Sequence, residues 1–254
     1  MGLFDFLSGS SKGSNVKRLV AKATNKHAQS VDRFKALEDL AENRTDEAIA
    51  GLLRRFTFVY DKTIEDEQEK EWVHDQLVEM AGGDPELKAR VLAALEHALV
   101  HSGTIAWPLK VLHHVASHDE AWPILEKVIA ANDNEYVRDP SRKIQLIDFL
   151  GEWPDPRVVH VLLPWFEDMS EDVRFRAVEA ILAQKNEEVG REPLLKLAVK
   201  PDEESRRIKI RILDGLHELG WNVHGYKGQV DELCQTLASG HSIDGKGRIR
   251  RGRS

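Results

Sequence analysis

The stretch Asp172-Val173-Arg174-Phe175-Arg176-Ala177-Val178-Glu179-Ala180-Ile181 decides how the chain is read. Its last residue belongs to a series: Leu40, Leu77, Leu112, Phe149, Ile181 and Leu216 follow one another at intervals of 37, 35, 37, 32 and 35 residues. A second series, Asp46, Asp84, Asp119, Asp155 and Glu187, runs at 38, 35, 36 and 32 residues. Two of its members open near-copies, Asp46-Glu47-Ala48-Ile49 and Asp119-Glu120-Ala121-Trp122; two others precede proline, Asp84-Pro85 and Asp155-Pro156. All five read as helix starts, because Asp caps free amides, proline has no donor to orphan there, and acids suit the positive helix end. A fixed period of this length marks a repeat architecture. The unit is a pair of helices of about 35 residues, occurring six times, and each pair exposes apolar faces that only stacking buries.

The rest of the chain agrees. Apolar residues recur at three- and four-residue steps in Phe34, Leu37, Leu40; Val73, Leu77, Met80; Leu109, Leu112, Val115; and Ile144, Ile147, Leu150. Breakers fall at Gly82-Gly83-Asp84-Pro85, Ser102-Gly103, Asp139-Pro140, Pro154-Asp155-Pro156 and Pro201-Asp202. Phe56-Thr57-Phe58-Val59-Tyr60 has strand character but no partner strand, so it reads as a helix end running into a loop.

The opening stretch resembles the first helix of a HEAT repeat: Asp172-Val173-Arg174, then Ala177, then Ile181. Asp32-Arg33, Ala36 and Leu40 match more weakly, and Ile208-Lys209, Ile212 and Leu216 match with Lys in the Arg place. Ala121-Trp122-Pro123-Ile124-Leu125 and Glu192-Pro193-Leu194-Leu195 are similar to the family's second helix. The resemblance covers residues 29–238 and implies an all-α, right-handed α-α superhelix, an α-solenoid of about six HEAT-like hairpins. It implies a structural role between repeats for Asp172 and Arg174. The second and third units depart most, with a long acidic connection over Glu65-Asp66-Glu67-Gln68-Glu69-Lys70-Glu71.

Charge is unevenly placed. The chain of 254 residues carries −7, but residues 1–35 hold seven bases and two acids and residues 240–254 hold five bases and one acid, which leaves the middle at −16. An acidic body argues against duplex nucleic acid as a partner. Residues 1–28 read as a flexible basic segment with a short apolar start (Leu3, Phe4, Phe6, Leu7) and a linker at 8–15; residues 239–254 read as a disordered basic tail. The longest apolar run, near Val158 to Phe166, is broken by His160 and Pro164, so no membrane-spanning helix is expected. The start Met1–Leu7 is too short for a signal peptide, and Phe6 breaks the myristoylation pattern. With a single cysteine, Cys234, which reads as a core residue, a cytoplasmic location is the expectation.

No nucleophile motif, phosphate loop or dinucleotide fingerprint is present, so neither an enzyme nor a cofactor is expected. The rival reading is a HEAT-like enzyme or enzyme subunit, metal-dependent or similar to the bilin lyases, and a third is nucleic-acid association through the basic ends. His97/His101 and His114/His118 offer helical i,i+4 pairs, but no carboxylate sits at ligand spacing and His217-Glu218 alone has the di-iron dipeptide form. The function expected is therefore a non-catalytic scaffold that binds a protein, of acidic surface, on the solenoid. In this family the second helices line the concave side. Their non-core positions include Arg54, Arg55, Arg90, His97, Lys127, Arg157, His160 and Lys196, with Trp165 as a candidate exposed aromatic.

Overall fold

The computed structural model describes residues 15–60, 63–132 and 137–252. The apolar start at Leu3, Phe4, Phe6 and Leu7 lies outside them, as does the linker up to residue 14. The chain divides after Ala131 into two compact units. Among the described residues the fold is all-helical apart from one small hairpin.

Unit 1 begins with α1 (15–23). Then come α2 (Ser30–Asn43), α3 (Asp46–Arg54), a 3-10 turn (Arg55–Thr57), α4 (Thr63–Gly83), α5 (Pro85–His101), α6 (Ala106–Val115) and α7 (His118–Ala130). Helices pack on the helix two places along: α2 on α4, α3 on α5, α4 on α6, α5 on α7. The seam between them is apolar, with Leu40, Leu77, Leu95 and Leu112 fully buried. The 3-10 turn runs into a loop at Phe58, so Phe56 to Tyr60 forms no strand.

Unit 2 holds α8 (Ser141–Glu152), α9 (Arg157–Leu162) running into a 3-10 turn (Leu163–Glu167), α10 (Glu171–Gln184), α11 (Glu187–Val199), α12 (Arg206–Leu219) and α13 (Lys227–Leu237). The same alternation recurs: α8 on α10, α10 on α12, α9 on α11, α11 on α13. Two glycines let first helices approach closely. A Cβ at Gly151 would lie 3.1 Å from the Ala180 backbone, and one at Gly215 would overlap Leu182. In α8 the buried position of the leucine series shifts by one, from Phe149 to the fully buried Leu150.

The acidic helix starts divide into caps and first-turn residues. Asp84 caps α5, accepting from the Glu86 amide, with Pro85 first in the helix. The Asp155 carboxylate accepts from the Arg157 amide at 2.9 Å. At α3, α7 and α11 the caps are instead Thr45, Ser117 and Asn186. There Asp46, Asp119 and Glu187 sit in the first turn, where they complement the helix dipole. Ser117 and Glu120 form a reciprocal capping box. Hydrogen bonds from Lys88, then Ser117, hold the Glu120 carboxyl down to about 2.

Three expectations are corrected. Residues 15–23 are helical, not a flexible segment, because Val16, Leu19 and Ala23 form an apolar face that packs into the core of unit 1. The expected acidic connection at Glu65–Glu71 is part of α4, because Asp66 and Glu69 are buried against arginines. Most of the expected tail is ordered: β1 (His241–Ile243) and β2 (Ile249–Arg251) pair antiparallel, Ile243 opposite Ile249. The Asp244-Gly245-Lys246-Gly247 run is the hairpin loop. The Asp244 carboxylate accepts the amides of Lys246 and Arg248 at 2.8 and 3.0 Å, and Gly247 takes the positive φ of 73° that the turn requires.

Candidate interaction surface

The bases expected to line a partner-binding face fall into three groups. Arg55 is wholly buried and belongs to the core. Its Nη2 donates to Asp66 Oδ1 at 2.6 Å and its Nε to Glu69 Oε2 at 2.8 Å. Arg33 reaches the same carboxylate, Nη2 to Oε1 at 2.8 Å and Nε to Oε2 at 2.9 Å. Lys70 Nζ lies 2.6 Å from Asp66 Oδ2. Tyr60 stacks under the Arg33 guanidinium at 4.0 Å. Burial alone pushes the Asp66 carboxyl up, but hydrogen bonds from Lys70 and Arg55 overcome it and hold the group below the usual carboxylate range. Burial would likewise lower Arg33, yet Glu69 keeps it above its ordinary value. The Arg55 expectation is corrected on this ground: the chain turns into a 3-10 helix at Arg55, which aims that side chain inward while Arg54 stays outside.

The second group is exposed or half-exposed but already neutralised. Arg90 Nε pairs with Asp46 at 2.5 Å, Lys127 with Glu96 at 2.6 Å, Arg157 Nη2 with Asp155 at 2.5 Å and Lys196 with Glu192 at 2.8 Å. Trp165 is corrected as well. Pro164 ends α9, residue 165 falls in the 3-10 turn, and its indole is buried, donating from Nε1 to the Asn132 carbonyl at 3.2 Å. His160 is exposed on α9.

Arg54 and His97 form the third group, and they are brought together. A cavity of about 430 Å³ opens between α3 and α5. Its floor is small and apolar (Ala50, Leu53, Ala94, Ala98), and Arg54, His97 and His101 stand on its rim. The His97 and His101 rings lie 4.6 Å apart, tilted by 55°. Arg54 is exposed, and no carboxylate among the described residues pairs with it. It sits at the C-terminal end of α3, so part of its charge offsets that helix's dipole, and His101 lies in the last turn of α5. No sequence signal singled out the alanines Ala50, Ala94 and Ala98 that line the groove.

In unit 2 the residues of the opening stretch link α10 to the next first helix and its approach. Asp172 pairs with Arg207 at 2.8 Å. Arg174 donates through Nε to Glu203 at 2.8 Å and through Nη1 to the Asp168 carbonyl at 2.8 Å. Burial pushes Glu203 up, and Arg174, with the Ser205 amide, brings it below its ordinary range. The Cys234 thiol is buried and pushed up by that burial, with Asp231 adding to the shift. An Asp214–His241–Ser239 chain of contacts also forms, His241 Nε2 to Asp214 at 3.0 Å and Nδ1 to Ser239 Oγ at 2.8 Å. Arg251 shares the Asp214 carboxylate at 2.8 Å, and the imidazole is fully buried. These contacts clip the hairpin to α12.

Of the histidines first considered as ligands, His114 places Nδ1 3.0 Å from Nε2 of His74, whose other ring nitrogen lies 2.8 Å from Asp75. No group of three or more His, Cys, Asp or Glu among the described residues is arranged to hold a metal ion. No helix among them is long and apolar enough to cross a membrane. No family model matches the chain, and no curated protein matches it. The fold itself defines an all-helical protein with a basic-rimmed groove between two of its helices.

Proposed function

We propose that the chain is a non-catalytic interaction module built of HEAT-like hairpins, three in each unit, and that the α3/α5 groove takes an acidic segment of a protein partner. The alternation of helix contacts supports the solenoid reading, since first helices pack on first helices and second on second in both units. One observation carries the function. Most of the expected bases are neutralised by nearby carboxylates, while Arg54 keeps its charge at the rim of a groove with a small-residue floor. A carboxylate that docks there meets a guanidinium able to bind it bidentately and two imidazole donors beside it.

The test is photo-crosslinking in native extract from a reactive residue placed at Thr57, on the groove wall. It compares the otherwise native chain with Arg54→Glu and with Lys185→Glu, a charge reversal in the other unit. A single crosslinked protein retained by Lys185→Glu and lost by Arg54→Glu is the expected result. Equal crosslinking in all three removes the groove as the working surface.

A further inference from the structure

We propose that the apolar hollow between α2 and α4 is the docking site for residues 3–7 of this same chain. The hollow measures about 380 Å³; Val31 and Phe34 line it, and Glu38, Glu65 and Gln68 stand around it. Phe34 is anchored from behind by Trp72, ring centroids 4.9 Å apart. Among the described residues five large hydrophobics are markedly exposed; one of them, Val31, lines the hollow, Val59 lines the cavity beside it, and Ile64 precedes Glu65 of its wall in sequence. Val31 is 79% exposed on the first turn of α2, and Ile64 is 76% exposed on the first turn of α4. Val59 is 68% exposed and lines an adjoining cavity that shares Ser30 and Glu65 with the hollow. Apolar surface gathered in one place on a chain marks a site that is covered.

Chain length selects the occupant. Leu3-Phe4-Asp5-Phe6-Leu7 has four large apolar side chains in five positions. Residues 8–14 (Ser-Gly-Ser-Ser-Lys-Gly-Ser) separate it from α1 and contain no large apolar residue. Asn15, where α1 begins, lines a surface hollow with Asp39, Glu42 and Asn43, toward the C-terminal end of α2. From there back to Phe34 is about 13 Å along the helix axis. Seven extended residues span up to about 23 Å, so the segment reaches the hollow with slack for the turn around α2. Charge favours the path. The linker carries Lys12 and no acid, and α2 presents Glu38, Asp39 and Glu42 between the two hollows, of which Glu42 has no basic partner among the described residues. Lys35 lies at the edge of the hollow, paired with Asp39 at 3.0 Å and Glu38 at 3.4 Å, and is the cation there that the one acid of the segment, Asp5, would meet.

The experiment is amide hydrogen exchange of the full chain beside two variants, Phe4→Ser with Phe6→Ser, and deletion of residues 1–14. The expected result is exchange at residues 30–38 and 63–69 that is roughly tenfold slower in the full chain than in either variant. Amides of α3 serve as the internal control for an intact core, and the protection should not change with protein concentration. Equal exchange in all three proteins overturns the proposal. Protection that rises with concentration assigns the hollow to a second copy and overturns it too. Protection present only after a partner is added does the same in favour of that partner.

Discussion

Replacing Glu69 by Gln tests the buried network of unit 1 most directly. The five side chains Arg33, Arg55, Asp66, Glu69 and Lys70 are all buried, and together they hold three cations against two carboxylates. Glu69 alone accepts from two guanidiniums, with four nitrogen–oxygen distances between 2.8 and 3.1 Å. The amide preserves shape but removes one of the two negative charges and turns an NH₂ group toward an arginine. Removing one partner of a buried ion pair typically costs about 3–5 kcal/mol, because the remaining charge stays desolvated. With a urea slope of about 2 kcal/mol per molar, the midpoint of unit 1 should fall by about 2 M. Urea melts followed by hydrogen exchange, which reads each unit separately, measure this. The double variant Arg33→Met with Glu69→Met should lose less than Glu69→Gln, since it leaves the Arg55–Asp66 pair at 2.6 Å and adds no unpaired charge. A midpoint shift below about 0.5 M for Glu69→Gln, the size expected of a solvated surface pair, would refute the reasoning.

Three further outcomes follow from the same structure. Gly215→Ala should destabilise unit 2 by about 1–2 kcal/mol in a urea melt, because the new methyl overlaps Leu182 and that strain outweighs the gain in helix propensity. Both units should weaken in acid: Asp66 and Glu203 have depressed values when folded, so the stability they contribute is present above about pH 4 and is lost as pH falls through the folded values. Thermal melts from pH 7 to 2.5, with Asp66→Asn flattening the response of unit 1 and Glu203→Gln that of unit 2, check the sign. Ile249→Ala should cost unit 2 about 2–4 kcal/mol, since Ile249 is 2% exposed beneath the hairpin, whereas a disordered tail would show no change.

The helical scaffold was legible because one physical requirement repeats. A hairpin that buries its seam on the next hairpin must place a large apolar residue there once per repeat, and Leu40, Leu77, Leu112, Ile181 and Leu216 are all fully buried. Cap identity was less legible. An acid near a helix start satisfies the dipole from several positions, and Thr45, Ser117 and Asn186 took the cap in three of five cases. The hairpin was missed because Gly and Arg content resembles a tail; the Ile243 and Ile249 that flank the Asp-Gly loop were the available signal. Trp165 was misplaced because its position was extrapolated along a helix that Pro164 ends.

The candidate surface was harder to read, since a base is informative only once its partner is known. The pairings follow a rule that the repeat itself supplies: Arg33 meets Glu69 at 36 residues, Asp172 meets Arg207 at 35, Lys88 meets Glu120 at 32, Arg211 meets Glu179 at 32 and Lys127 meets Glu96 at 31. Each separation is close to the sequence period, and these complementary charges sit on elements close in space rather than standing free on a face. Spacing of this kind, visible in the sequence alone, removes Lys127 from the partner-binding set. Arg90 meets Asp46 at 44 residues, outside that spacing, and only the structure removes it. Arg54 is set apart by the structure rather than by spacing: it lines the groove with His97 and His101, and no carboxylate among the described residues pairs with it. On the proposed function, that is the charge left for an acidic partner to neutralise.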